Sequence, residues 1–263
     1  MTPIPRLVGM VHLLPLPGSP GYSGSMSKVV DAALADASDL SGAGFPSLMV
    51  ENFGDVPFYA DAVPSETVAA MTAAVMAVGE ATGLPIGVNV LRNDALSAVA
   101  VAAATGCAFI RVNVLTGVMY TDQGPIEGKA HLVQRSIRNL GLPIEVWADV
   151  LVKHATPPAG LDIAQATLDT VERGLADAVI VSGPGTGACP DMDQTRRAKA
   201  VLPDGTRLVA GSGATIDNLG VLTDTVDTVI VGSSIKPGSD PRNRVDRVRA
   251  ARFVEAARDI GLI

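Results

Sequence analysis

Thiols are scarce in this chain of 263 residues. Cys107 and Cys189 are its two cysteines, and neither lies in a Cys-x-x-Cys pair or beside a histidine. This excludes a disulfide framework and a cysteine-rich metal site, and makes a reducing, cytoplasmic setting the expectation. Basic residues are outnumbered, 20 Lys and Arg against 27 Asp and Glu, for a net charge of −7. A nucleic-acid binder needs a basic stripe, so no nucleic-acid partner is expected. No apolar run approaches the roughly 20 residues of a membrane-spanning helix, and the first residues lack the basic-then-apolar pattern of a secretory signal. Aromatic residues make up only 3% of a chain that is 48% hydrophobic, so Ala, Val, Leu and Ile must fill the core. That composition suits helices packed on a parallel sheet covered on both faces.

Eight apolar runs read as strands: Leu7–His12, Leu48–Asn52, Ile86–Leu91, Phe109–Leu115, Ile144–Val150, Ala178–Ser182, Leu208–Gly211 and Thr228–Gly232. Helical patterns separate them. Ser27 is placed to cap the first helix and Asp94 the third. Gly83 with Pro85, and Gly141 with Pro143, stop the second and fourth, the fourth running from about 126 to 140. The fifth covers about 162 to 174, the sixth 192 to 201, a short seventh 217 to 222 and the last 244 to 260. Strand followed by helix throughout, with crossovers long enough for a helix, predicts parallel strands. With no linker to divide it, residues 1–263 read as one domain, close to the size of one (β/α)8 barrel. The loops at 15–24, 53–64, 116–128, 154–161 and 183–191 all follow strand C-terminal ends, where a barrel carries its function.

Polarity falls at the same end of the strands. The first ends in His12 and the second in Glu51-Asn52; the third contains Asn89 and runs into Arg92. Arg111 and Asn113, two apart, share one face of the fourth. The fifth has Asp149 and then Lys153-His154, and the sixth ends at Ser182. An open doubly wound sheet would gather such residues at one switch point, whereas here every strand contributes, as in a closed ring. The seventh and eighth strands break into Gly211-Ser212-Gly213 and Gly232-Ser233-Ser234. Glycine allows close backbone approach and successive free N–H groups cradle an anion, so this pair predicts a phosphate corner, helped by the positive ends of the helices that follow.

Candidate chemistry follows from those positions. Glu51 and Asp149 are the expected acid–base carboxylates, set on opposite sides of the ring. His12 and Lys153 are expected to assist, and Asn89, Arg92, Arg111, Asn113 and Ser182 to bind substrate hydroxyls or charge. Against this, each carboxylate could instead pair with Arg111 or Arg92 and hold the mouth together. A strand-end histidine such as His12 could equally be structural. Lys236, just past the last strand, could pair with phosphate. No metal-binding spacing of histidines occurs and no cofactor is expected; a Mg²⁺ held by Glu51 or Asp149 together with a ligand phosphate is the one metal arrangement left open.

Longer motifs carry a resemblance. Val8-Gly9-Met10-Val11-His12-Leu13, Met49-Val50-Glu51-Asn52-Phe53-Gly54-Asp55-Val56-Pro57-Phe58 and Gly87-Val88-Asn89-Val90-Leu91-Arg92-Asn93-Asp94 resemble the BtpA/SgcQ family. So do Phe109-Ile110-Arg111-Val112-Asn113-Val114-Leu115-Thr116-Gly117, Val152-Lys153-His154-Ala155 and Gly232-Ser233-Ser234-Ile235-Lys236. The resemblance implies a barrel of the ribulose-phosphate-binding kind. Its named member is tied to photosystem I biogenesis, and relatives occur in organisms without photosynthesis. The run Ser182-Gly183-Pro184-Gly185-Thr186-Gly187 departs from the Thr-Gly-x-x-Thr-Gly pattern of the family. The expectation is therefore a cytoplasmic, homo-oligomeric enzyme acting on a small phosphorylated metabolite, a sugar phosphate or nucleotide, as an isomerase, lyase or hydrolase. The alternatives are a non-catalytic photosystem I assembly factor and a ligand-binding regulator without turnover.

Overall fold

The computed structural model describes residues 5–183 and 185–263. In chain order the elements are β1 (Leu7–His12), α1 (Met26–Ala43), β2 (Leu48–Glu51), α2 (Ser65–Thr82), β3 (Ile86–Asn89), α3 (Ala95–Thr105) and β4 (Phe109–Val112). Then come β5 (Val118–Thr121), β6 (Gly124–Glu127), α4 (Ala130–Leu140), β7 (Glu145–Asp149), β8 (Ala155–Thr156), α5 (Ile163–Leu168), β9 (Ala178–Val181) and α6 (Met192–Val201). The chain ends with β10 (Arg207–Ala210), α7 (Leu219–Thr223), β11 (Thr228–Val231) and α8 (Arg247–Asp259). All eight expected strands form. In the order β1-β2-β3-β4-β7-β9-β10-β11 they close into a parallel barrel. Leu7 opposite Val229 completes the ring.

Strand alternation divides the core in two. Outward-facing Leu7, Val11, Leu48, Val50, Val88, Ile110 and Val146 pack under the helices. Inward-facing Val8, Met10, Met49, Phe109, Trp147, Ala178, Ile180, Val209 and Ile230 form a separate cluster inside the ring. Gly87 makes room there: a Cβ on it would stand 2.2 Å from the Phe109 ring, which stacks on Trp147 with centroids 4.0 Å apart.

Three local expectations are corrected. Ser25, not Ser27, caps α1, accepting from Lys28 N. The stretch read as loop and early helix between 116 and 129 instead forms the β5–β6 hairpin, and β8 joins it as a three-stranded antiparallel sheet. The Thr121 hydroxyl donates to Gly124 O across the turn, and Met119 and Ile126 pack with Val114 and Val152 beneath it. Finally, the fifth helix changes its winding: α5 ends at Leu168 and passes into a π-turn over Asp169–Arg173. Asp94 does cap α3, through Ser97 N.

Candidate active site at the barrel mouth

The strand register puts the polar ends on one level. His12 pairs with Glu51, Glu51 with Asn89 and Asn89 with Arg111 along four successive strands. All four face inward, one step of two residues above the apolar cluster. They open into two adjoining cavities. The first, of about 280 Å³, is lined by His12, Glu51, Arg111 and Lys153 together with residues 211–215 and 232–234. The second, of about 390 Å³, shares Glu51, Phe53, Arg111, Lys153 and Thr186 with the first and extends under the hairpin to Phe58, Arg92, Asn113 and Asp122.

The two Gly/Ser turns lie side by side. The Ser234 hydroxyl donates to Ala214 O at 2.7 Å and ties one turn to the other. Ser212 works as a brace: its hydroxyl accepts from Gly183 N and donates to Ala188 O, pinning the loop after β9 over the corner. Gly213 has φ +72°, and a Cβ there would stand 2.2 Å from Ala188 O, so only glycine fits. The N–H groups of Ser212, Gly213, Ser233 and Ser234 donate to no acceptor among the described residues. The expected helix contribution is absent from the first turn, because α7 begins only at Leu219 and is a single short stretch. The concave surface is made by loop amides, a backbone nest rather than a helix end.

Glu51 is buried, and its Oε2 accepts from Asn89 Nδ2 at 2.7 Å. Its Oε1 lies 3.9 Å from His12 Nε2. His12 stacks on Phe53, and its Nδ1 is 3.1 Å from Lys236 Nζ. Lys236, 1% exposed, also donates to Pro241 O at 2.8 Å. His12 Nδ1 also lies 3.0 Å from Pro241 O. The lysine only donates and the carbonyl only accepts, so the first contact calls for the proton on Nε2 and the second for the proton on Nδ1. Burial, reinforced by the Lys236 charge, lowers the His12 pKa from 6.5 to about 4, so the ring is neutral at pH 7. Burial also lowers Lys236 to about 8. Lys236 was legible only as a lysine after the last strand; its grip on His12 depends on the turn over residues 233–241.

Asp149 departs from its expected role. Arg111 Nε and Nη2 donate to its two oxygens, both at 2.8 Å, and Ser182 Oγ and Asn113 Nδ2 add bonds at 3.2 and 3.4 Å. Both oxygens are saturated and the side chain is fully buried, so it is not placed to exchange a proton with a ligand. Burial works against the charge on Arg111, but Asp149 outweighs it and the Arg111 pKa rises. Ser182, expected at the substrate, serves this pair instead. Lys153 reaches both cavities, and its ammonium makes no hydrogen bond among the described residues. Burial, with Arg111 next, lowers its pKa from 10.5 to about 8. Arg92 gives Nη2 to Lys153 O at 2.6 Å. Asn89 Oδ1 and Asn113 Oδ1 are buried acceptors without a donor among the described residues. Among the described residues no three His, Cys, Asp or Glu side chains gather as a metal-binding group, and no helix is long and apolar enough to cross a membrane.

Comparison with known proteins follows this geometry. A model described as the BtpA family matches residues 5–259. An uncharacterized protein of Thermococcus kodakarensis is 49% identical over 97% of this chain and 95% of its own length. The photosystem I biogenesis protein BtpA of Synechocystis sp. is 44% identical over 95% of this chain and 87% of its own. Among solved structures, one titled native KDPGal structure has a TM-score of 0.63 at 19% identity, covering 100% of this chain and 98% of that one. Orotidine 5'-phosphate decarboxylase from Pyrococcus horikoshii has a TM-score of 0.56 at 16% identity, covering 96% and 99%. At those identities the likeness is one of fold alone, the closed eight-stranded β/α barrel.

Proposed function

This chain belongs to the BtpA family, and from the mouth of its barrel we propose that it is an enzyme acting on a small phosphorylated metabolite by proton transfer. One observation carries the reading: the amide-lined corner at 211–213 and 232–234 opens into the same cavity as the Glu51–His12 pair. The corner anchors the phosphate, and that binding energy holds the reacting end beside Glu51. Glu51 takes or returns the proton, its free Oε1 facing the cavity while Asn89 fixes the other oxygen. Neutral His12, in its Nε2–H tautomer, offers that proton to an oxygen on which negative charge develops, with the Nδ1 lone pair facing Lys236. Asp149 positions Arg111 on the far wall. A carboxylate base beside a neutral imidazole donor suits proton movement next to a carbonyl, hence isomerisation or a lyase reaction, better than hydrolysis.

The test is a turnover screen of sugar phosphates and nucleotides followed by phosphorus NMR, with inorganic phosphate binding measured alongside. Glu51→Gln is expected to cut turnover by about 10²–10⁴-fold and to leave inorganic phosphate bound. Turnover that survives Glu51→Gln removes the assigned base. Phosphate binding with no turnover on any substrate leaves a ligand-binding regulator. A protein that neither binds phosphate nor turns anything over favours the assembly role that the name of the Synechocystis relative carries.

A further inference from the structure

The second cavity contains more positive charge than the protein itself uses. Arg92 is 5% exposed and lines this cavity but not the first. The one hydrogen bond of its side chain goes to a backbone carbonyl, and no carboxylate lies within ion-pairing distance of it among the described residues. Lys153, whose backbone carbonyl receives that bond, extends its ammonium along the shared wall without a hydrogen bond or ion pair among the described residues. The nearby carboxylates are occupied or peripheral. Asp149 is saturated by Arg111, Ser182 and Asn113; Glu51 is held by Asn89 and turned towards His12; Asp122 is exposed at the rim. Holding two cations under a partly apolar roof of Val56, Phe58 and Leu91 costs stability unless something neutralises them. The depressed Lys153 pKa has the same origin. In the wall of the same cavity, Asn113 Oδ1 is a buried acceptor with no donor among the described residues.

We propose that the substrate is a phosphorylated hydroxy acid. Its phosphate sits in the corner at 211–213 and 232–234. Its carboxylate sits against Arg92 and Lys153 beneath the β5–β6 hairpin, and a hydroxyl of the chain between them donates to Asn113. The planar fork of Arg92 with the point charge of Lys153 suits a carboxylate at the end of an extended chain. The inference rests on the phosphate corner of the proposed function and adds the group at the other end.

The experiment compares 6-phosphogluconate with glucitol 6-phosphate by calorimetric titration of the full chain. The two probes have the same carbon chain and phosphate and differ only in carboxylate against hydroxymethyl. The acid is expected to bind at least tenfold tighter. Lys153→Met and Arg92→Met should each bring that ratio towards one, whereas Ser233→Glu, which puts a negative charge in the corner, should weaken both probes and inorganic phosphate together. Circular dichroism of each variant checks folding. Equal affinity for the two probes, or a ratio unmoved in both cation variants, overturns the inference. Inorganic phosphate reports separately on the corner: if it binds while the two probes do not differ, the second anion subsite fails and the phosphate reading stands. If inorganic phosphate also fails to bind, the proposed function falls with it.

Discussion

The lower and upper halves of the barrel interior are built by the same eight strands and obey opposite rules. Below, Val8, Met10, Met49, Phe109, Trp147, Ile180, Val209 and Ile230 form a dry plug. Its floor is tied by Trp147 Nε1 donating to Glu145, which also pairs with Arg207, whose guanidinium lies 4.9 Å from the Trp147 ring centroid. One inward-facing step higher, the same strands carry His12, Glu51, Asn89, Arg111 and Asp149. Met10 gives way to His12, Met49 to Glu51, Phe109 to Arg111 and Trp147 to Asp149, each two residues on. Stability and chemistry are thus stacked along one axis, and the apolar plug holds rigid the strand ends that aim the polar layer.

That contrast makes the Arg111–Asp149 pair the place to break it. It is charged like the layer it belongs to but buried like the layer below, with side chains 2% and 0% exposed. Removing one partner leaves an uncompensated buried charge, so Asp149→Ala is expected to cost about 3–5 kcal/mol in urea unfolding. Asp149→Asn retains the shape and part of the hydrogen bonding and should cost less. A loss below about 1 kcal/mol for Asp149→Ala would place the pair with ordinary surface ion pairs.

The pH dependence of stability is the next largest effect. Burial and Lys236 lower His12 to about 4 in the folded chain, against 6.5 for the free ring. Between those values the unfolded chain binds the proton and the folded one does not. Stability is therefore lost as pH falls from 6.5 towards 4, by roughly 3 kcal/mol. His154, also lowered by burial, adds in the same direction, whereas Asp55, raised by burial, opposes it. Comparing His12→Gln with the parent chain across that range isolates the ring: the variant's curve should be flatter. Parallel curves would mean that His12 protonates freely in the folded state.

Most of this layering was legible in the sequence because it is periodic. Alternation two residues apart, apolar below and polar at each strand end, gave the barrel, the inward-facing position of Arg111 and the strand-end placement of Glu51 and Asn89 without coordinates. What the sequence left open was which reading of Asp149 holds, catalytic or paired with an arginine of a neighbouring strand. The alternative pairing with Arg111 was legible, but not that Ser182 and Asn113 also converge on Asp149, since that depends on how the ends of three neighbouring strands are set against one another. The hairpin was missed because its turn, Thr121-Asp122-Gln123-Gly124, lacks the Asn-Gly or Asp-Gly centre that marks a tight hairpin, and its strands are only four residues each. Lys236 reads from sequence as a candidate phosphate partner, because nothing local announces that the chain folds back to set Pro241 O and His12 around it.

The smallest effect sharpens the comparison from the other side. If the polar layer exists for a ligand and not for the fold, relieving it should make the empty protein more stable. Lys153 is the test, because its ammonium is sheltered and has no partner among the described residues. Burial lowers its pKa from 10.5 to about 8. At pH 7 both states are protonated and the folded state carries the full penalty; as pH rises from 8 to 10.5 the folded state has already shed its proton and the penalty fades. Lys153→Met keeps the stem and removes the charge, so it should stabilise the ligand-free chain by about 1–2 kcal/mol at pH 7, with the gain shrinking towards pH 10. Urea titrations of both chains at the two pH values measure it. A variant less stable than its parent at pH 7 would mean that the ammonium contributes to the fold, and the division between plug and mouth would then run above Lys153 instead of below it.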